Sequence, residues 1–68
     1  MKSIGNTIKE RRKMLSITQR ELAEIAGVGI NTLTKIERGE ANPSLEVLNR
    51  ILDALGLEIE IKIKNTNL

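Results

Sequence analysis

Four side chains between residues 30 and 35, three polar and one apolar, have the types and the spacing to contact an ordered partner by hydrogen bonds and one apolar contact. Ile30, Asn31, Thr34 and Lys35 stand at i, i+1, i+4 and i+5, which places them on one face of a helix. An asparagine amide can pair with adenine, a lysine can donate to guanine, and an exposed isoleucine can meet a thymine methyl. We interpret the row as base contacts in the major groove of DNA. The open alternative is the polar surface of a generic helical hairpin.

A second group of residues is suited to the phosphate backbone. Gln19 and the free N–H groups at the start of a helix can donate to phosphate oxygens. The predicted phosphate contacts are Thr18, Gln19, Gly29, Arg38 and Asn42. Residues 1–38 hold eight Lys/Arg and four Glu, a balance of +4, whereas residues 39–68 hold three Lys/Arg and five Asp/Glu, a balance of −2. The first half is therefore expected to face an anion, although a solvated surface explains the charge equally well.

Composition excludes several other kinds of site. The 68 residues form one domain at most, and the chain has no Cys, no His and no Phe, Tyr or Trp. These absences argue against disulfides, a zinc site, nucleophilic catalysis and base stacking on aromatic platforms. No metal, no cofactor and no enzyme activity are expected. No apolar run is long enough to span a membrane and the N-terminus lacks the continuous apolar core that is typical of a signal peptide, so a cytoplasmic protein without a membrane partner is expected.

The elements that must position these residues are four helices and one strand. The first helix covers residues 3–15. The second begins at Thr18, where Glu21 completes a capping box, and Gly27 ends it. The third follows Val28 and runs to about Arg38. The fourth is entered through residues 42–44 and ends at Gly56.

Apolar residues at helical spacing predict the buried faces. They are Ile4, Ile8, Leu15, Leu22, Ala23, Ala26, Val28, Leu33, Ile36, Leu45, Leu48, Ile51, Leu52 and Leu55. Arg12 falls on the same stripe as Ile8, and a charge on a core-facing stripe needs a partner. Arg11 and Lys13 are expected on a solvated face.

After Gly56 the apolar period changes from helical to alternating, which predicts a strand over residues 57–64. Its residues are Leu57, Glu58, Ile59, Glu60, Ile61, Lys62, Ile63 and Lys64. A lone strand cannot satisfy its backbone groups, so we expect it to pair with a second copy of the chain. Antiparallel pairing about Ile61 sets Glu60 against Lys62 and Glu58 against Lys64, whereas parallel pairing sets like charges together. The open alternatives are an unpaired strand or a different protein partner. Residues 65–68 are expected to be a frayed tail.

The residues Q-R-E-L-A-E-I-A-G-V-G-I-N-T-L-T-K-I-E-R-G, followed by N-P-S-L-E-V-L, closely resemble the phage-repressor and Cro-like (Xre-type) helix-turn-helix family. The likeness covers roughly residues 4–56. It implies a mainly α, lambda-repressor-like bundle of four or five helices that recognises a palindromic operator as a homodimer. It also implies that Arg12 pairs with Glu37. Gly29 and Ile30 depart from the family, which often has Ser or Thr and then Gln, Arg or Ser at these places, and Ile25 stands where a solvent-facing residue is usual.

The ending L-G-L-E-I-E-I-K-I resembles the HipB-type antitoxin subgroup, which implies self-repression of an operon and a HipA-type kinase toxin as partner. The domain plan is thus residues 1–56 as a helical bundle, 57–64 as a dimerisation strand and 65–68 as a tail, within one DNA-binding domain of residues 1–68. The predicted function is a sequence-specific, dimeric regulator of transcription. The alternative is a protein-interaction module without sequence-specific DNA binding, using Ile25, Ile30 or the strand edge.

Overall fold

The computed structural model describes residues 3–64, and these form four α-helices. The helices are α1 (Ile4–Met14), α2 (Gln19–Ala26), α3 (Ile30–Arg38) and α4 (Leu45–Ala54). Helix α3 packs against both α1 and α2, and α2 also packs against α4. The predicted mainly α bundle of four helices is therefore confirmed for the described residues. The predicted tail, residues 65–68, lies outside the described residues.

Local sequence signals set the helix ends. The Ser3 side chain caps α1, Ser44 caps α4, and Thr18 with Glu21 forms a reciprocal capping box on α2. Gly27 and Gly39 end α2 and α3 in the left-handed conformation, with φ of 70° and 77°. Glycine adopts this conformation without the steric cost that a Cβ adds. The turn between α2 and α3 is therefore only three residues long, which holds α3 close to α2.

The core lies between the four helices. Its buried residues are Ile8, Leu22, Ala23, Ala26, Leu33, Ile36, Ile51, Leu52 and Leu55. Three predicted core residues are instead exposed: Ile4, Leu15 and Leu45, the last with 66% of its surface accessible. Ile4 and Leu45 are the first residues of α1 and α4, and Leu15 follows the end of α1. The predicted stripes overrun the part of each helix that its neighbours cover.

A close approach of α1 to α3 depends on Gly5, for which no sequence pattern predicts a role. Gly5 is buried, and a Cβ built on it would collide with the carbonyl oxygen of Ile36 and lie 3.0 Å from that of Glu37. The absence of a side chain at this position therefore lets α1 lie directly on the last turn of α3. This contact fixes the first turn of α1 against the C-terminal turn of α3, the helix that carries the predicted base contacts.

Residues 57–64 form neither helix nor strand in the single chain. The predicted strand is thus not seen in the single chain, because an isolated extended segment has no neighbouring strand with which to form backbone hydrogen bonds. Its pairing with a second copy stays a prediction. No helix within residues 3–64 is long and apolar enough to cross a membrane.

Candidate nucleic-acid interface

Helix α3 presents its first turns outward. Ile30, Asn31 and Lys35 are exposed, and Thr34 is half-buried, whereas Leu33 and Ile36 on the opposite side are fully buried. The apolar side holds the helix against α1 and α2, so the polar side must face solvent. The structure therefore places all four predicted base-contact residues along one accessible surface of α3.

The N-terminus of α3 is open. Gly29 occupies the capping position in an extended conformation and has no side chain with which to bond the first N–H groups of the helix. Those N–H groups carry the positive end of the helix dipole and favour an anion. The surface beside Ile30 therefore suits a negatively charged partner.

Beneath this surface lies a buried ion pair. Arg12 Nε and Nη2 donate to Glu37 Oε2 and Oε1 at 2.8 and 3.0 Å, and Arg12 Nη1 donates to the carbonyl of Ile17 at 2.9 Å. The pair that the resemblance implied is thus present in the structure. It connects α1, the end of α3 and the loop before α2, so it orients α3 relative to the rest of the bundle.

The protonation of this pair is set by its surroundings. Burial raises the pKa of Glu37, but hydrogen bonds from Arg12 and Gln19 and the positive charges of Arg12 and Lys9 lower it more, so its pKa lies below the ordinary value. The hydrogen bond to Glu37 is the main cause that raises the pKa of Arg12, against the opposing effect of burial. Both groups are therefore charged at neutral pH. No buried side-chain N or O atom within residues 3–64 lacks a hydrogen-bond partner.

Gln19 joins the ion pair to the face of α3. Its Nε2 donates to Glu37 Oε1 at 3.1 Å, and its Oε1 accepts from Thr34 Oγ1 at 3.3 Å. The sequence predicts only a phosphate contact for Gln19, and neither of these bonds follows from it. Residues 19 and 34 lie on different helices, so no spacing rule connects them.

The other predicted phosphate-contact residues differ in which of their hydrogen-bond donors are free of bonds within the protein. The Thr18 side chain accepts from the Glu21 N–H at 3.0 Å, and the Thr18 N–H donates to the Glu21 carboxylate at 2.9 Å. The Thr18 N–H is therefore already occupied by the capping box. Arg38 and Asn42 are exposed at the far end of α3 and in the loop that follows it.

Arg11 has a role that its predicted solvated position does not include. Its Nε donates to the carbonyl oxygen of Leu55 at 3.0 Å, at the C-terminus of α4. A positive charge at this end of a helix complements the exposed carbonyl groups and the helix dipole. The expectation of a purely solvated side chain was wrong, because the fold brings α1 beside the end of α4.

Similar proteins were found by sequence and by structure. An HTH-type transcriptional regulator of Methanothermobacter thermautotrophicus is 49% identical over 51 residues, which cover 75% of this chain and 74% of that protein. The immunity repressor of Bacillus phage phi105 is 40% identical over 57 residues, 84% of this chain but 40% of the repressor. A putative regulatory protein of Methanococcus vannielii is 41% identical over 64 residues, 94% of this chain and 19% of that protein. The chain thus spans less than half the length of two of these three relatives.

Two solved structures have the same fold. The P22 c2 repressor, solved in complex with a synthetic operator, has a TM-score of 0.80 and 33% identity over 85% of this chain and 88% of that chain. The restriction-modification controller protein C.AhdI from Aeromonas hydrophila has a TM-score of 0.77 and 30% identity over 79% and 82%. The sequence model of the helix-turn-helix family matches residues 8–62 of this chain. The chain belongs to the phage-repressor-like (Xre-type) helix-turn-helix family.

Proposed function

We propose that this chain is a sequence-specific regulator of transcription that binds double-stranded DNA by placing α3 in the major groove. The observation that carries the proposal is the polar row on α3, held outward by the burial of Leu33 and Ile36 on its other side. An α-helix fits the major groove, and side chains from its first turns can reach base edges there. Asn31, Thr34 and Lys35 hydrogen-bond to base edges, and Ile30 meets a thymine methyl.

Contacts to the DNA backbone orient that helix. Four groups face the phosphates on either side of the groove. They are the open N-terminus of α3 at Gly29, the exposed side chains of Arg38 and Asn42, and the second side-chain N–H of Gln19. Thr18 contributes its hydroxyl proton. The net charge of +4 over residues 1–38 attracts the same polyanion. These contacts fix position and give the binding its salt dependence, but they carry no base information.

The active form is a homodimer on a palindromic operator. Ile61 and Ile63 have 93% and 98% of their surfaces accessible in the single chain, and Leu57, Ile59 and Ile61 line a groove with the exposed Leu45. A second copy pairing antiparallel about Ile61 covers this apolar surface and satisfies the backbone of residues 57–64. Two-fold symmetry then sets the recognition helices about one DNA turn, ~34 Å, apart.

A dimeric DNA-binding protein of this kind suits repression of its own operon. The similarity to the phage phi105 protein, which is named an immunity repressor, supports repression rather than activation. The HipB-type antitoxin role stays a prediction that rests on the ending of the chain alone. Its test is co-purification of the chain with the product of the adjacent gene, and an adjacent gene that encodes no kinase-like toxin counts against it. The competing function is a protein-interaction module, which the exposed Ile25 favours.

Binding to duplex DNA from the region upstream of the chain's own gene tests the proposal. We expect affinity to fall steeply with salt, as release of counterions from phosphates requires. Arg38→Ala removes a phosphate contact from each half-site, so it should lower the magnitude of the log–log salt slope by about 2 per dimer without changing sequence preference.

Asn31→Ala is the matched variant on the base-reading side. It should leave the salt slope unchanged and relax preference at one base pair per half-site, at a cost of roughly 1–3 kcal/mol per contact. Wild-type protein that binds its upstream region no better than scrambled duplex would reject sequence-specific recognition and favour the interaction module.

A further inference from the structure

A continuous chain of hydrogen bonds runs from the core to the groove-facing side of α3. It begins at Arg12, passes through Glu37 and Gln19, and ends at the hydroxyl of Thr34, with heavy-atom distances of 2.8–3.3 Å. The first two members are buried and the last two are half-buried. The inner end of the chain is charged, and the outer end lies among the predicted base contacts.

The charge at the inner end allows only one direction for these bonds. A guanidinium can only donate and an ionised carboxylate can only accept. Glu37 therefore requires an N–H from Gln19, so the amide nitrogen of Gln19 must turn inward. The carbonyl oxygen of the same amide then faces Thr34. The two ends of an amide have nearly the same shape, so it is the charge of Glu37 that decides between them.

The Thr34 hydroxyl has a single proton, and both of its neighbours within the protein are acceptors. They are the Gln19 Oε1 atom at 3.3 Å and the carbonyl oxygen of Ile30 at 2.9 Å. The proton is held within the protein in either case. Only the lone pairs of the Thr34 oxygen remain for an external partner.

We propose that Thr34 acts in the major groove solely as a hydrogen-bond acceptor, and that the Ile30 carbonyl and the positioning residue Gln19 together give it this polarity. Thr34 then selects a base with an exocyclic amino group, adenine N6 or cytosine N4, over the keto bases guanine and thymine. The inference rests on the proposed insertion of α3 into the groove. It adds a hydrogen-bond direction to the contact. A threonine hydroxyl without bonds inside the protein can either donate to a base or accept from one, whereas the Thr34 hydroxyl can only accept.

The first step of the test selects bound duplexes from a randomised double-stranded DNA pool with the full chain. Each base pair of the selected site is then replaced in turn, and affinities of wild type, Thr34→Val and Thr34→Ser are compared. Valine keeps the shape of threonine without the hydroxyl, and serine keeps the hydroxyl. At one base pair per half-site, wild type and Thr34→Ser should prefer amino over keto bases by about tenfold, and Thr34→Val by less than about twofold.

A change in the DNA isolates the functional group. Replacing the selected adenine by purine, or the cytosine by 2-pyrimidinone, removes only the amino group. Wild type should lose the same factor of about ten, and Thr34→Val should lose nothing further. Gln19→Met removes the amide at similar length and leaves the Ile30 carbonyl as the sole acceptor. Its amino-over-keto ratio should fall between those of wild type and Thr34→Val, whereas a merely structural role changes overall affinity and leaves this ratio unaltered.

The outcomes separate the inference from the function beneath it. No sequence enrichment by the wild type would reject the proposed function, and this inference with it. Enrichment of a site whose preferences are identical in wild type and Thr34→Val would overturn the inference alone, as would a Thr34-dependent preference for a keto base. A Gln19→Met ratio equal to that of wild type would overturn the positioning role of Gln19. Thermal unfolding of each variant establishes that the bundle is folded in every comparison.

Discussion

Arg12 and Glu37 form a bidentate ion pair whose side chains are 11% and 3% exposed. The pair fixes the orientation of α3 relative to α1. Removing one partner leaves the other charge buried without compensation. Arg12→Ala should therefore lower the free energy of unfolding by roughly 3–5 kcal/mol, measured by chemical denaturation. Lys13→Ala on the exposed side of α1 is the control and should change stability by less than ~0.5 kcal/mol. A denaturation midpoint that does not move in Arg12→Ala contradicts this role.

The same pair predicts how stability depends on pH. The pKa of Glu37 is lowered from its ordinary value of 4.5, so the ionised form is favoured by folding. Its contribution is complete above about pH 4.5 and is lost as the pH falls through the lower pKa of the folded state. Glu37→Gln should flatten the stability profile below pH 4.5. A smaller acid dependence should remain in this variant, because the hydrogen bond that the Thr18 backbone N–H donates to the Glu21 carboxylate also lowers the pKa of Glu21. If the loss of stability below pH 4.5 were the same in Glu37→Gln as in the wild type, the ion pair would not be its cause.

At the scale of elements, the contact between α1 and α3 depends on the missing side chain at Gly5. Alanine in place of glycine within a helix ordinarily stabilises it by roughly 0.5–1 kcal/mol. At Gly5 the new Cβ meets the Ile36 carbonyl oxygen, so Gly5→Ala should instead destabilise the bundle by about 1–3 kcal/mol. The neighbouring exposed Asn6→Ala is the matched control and should be neutral or slightly stabilising. Thermal or denaturant unfolding decides the sign, and a stabilised Gly5→Ala would mean that α1 does not lie this close to α3.

At the scale of the whole molecule, the charges of residues 57–64 test the proposed dimer. In the antiparallel pairing, Glu60 of each copy faces Lys62 of the other, so Glu60→Lys turns two attractive cross-strand pairs into repulsive ones. The dimer should weaken by roughly 1–2 kcal/mol, or about five- to thirtyfold in Kd. Adding Lys62→Glu restores opposite charges across the strands and should restore the dimer. Sedimentation equilibrium measures both variants.

Two results would count against this arrangement. A wild-type chain that is monomeric at micromolar concentration rejects the dimer in solution. A dimer that is indifferent to Glu60→Lys assembles through another surface. The intrachain approach of Lys62 Nζ to a Glu60 carboxylate oxygen, at 3.8 Å between highly exposed groups, is too weak to explain a strong effect of the substitution by itself.

The sequence by itself determined the features that depend on residues close together in the chain. Three such features were predicted from spacings of a few residues and are present in the structure. They are the capping box of Thr18 and Glu21, the helix ends at Gly27 and Gly39, and the outward-facing polar side of α3. A cap bonds groups three residues apart, and a helical face repeats every three or four, so neither needs knowledge of the tertiary fold. The family likeness extended this local information to the Arg12–Glu37 pair.

Only the tertiary structure decided how the four helices meet. The Arg11 bond to Leu55 and the Gln19 bonds to Glu37 and Thr34 join residues that are 44, 18 and 15 positions apart. Such contacts exist because packing of the apolar faces sets the helices at particular distances and rotations, and no periodicity encodes those values. The surroundings of Thr34 are decided partly in the same way: the Ile30 carbonyl lies four residues back on the same helix, whereas only the packing of α2 against α3 brings the Gln19 acceptor to the hydroxyl.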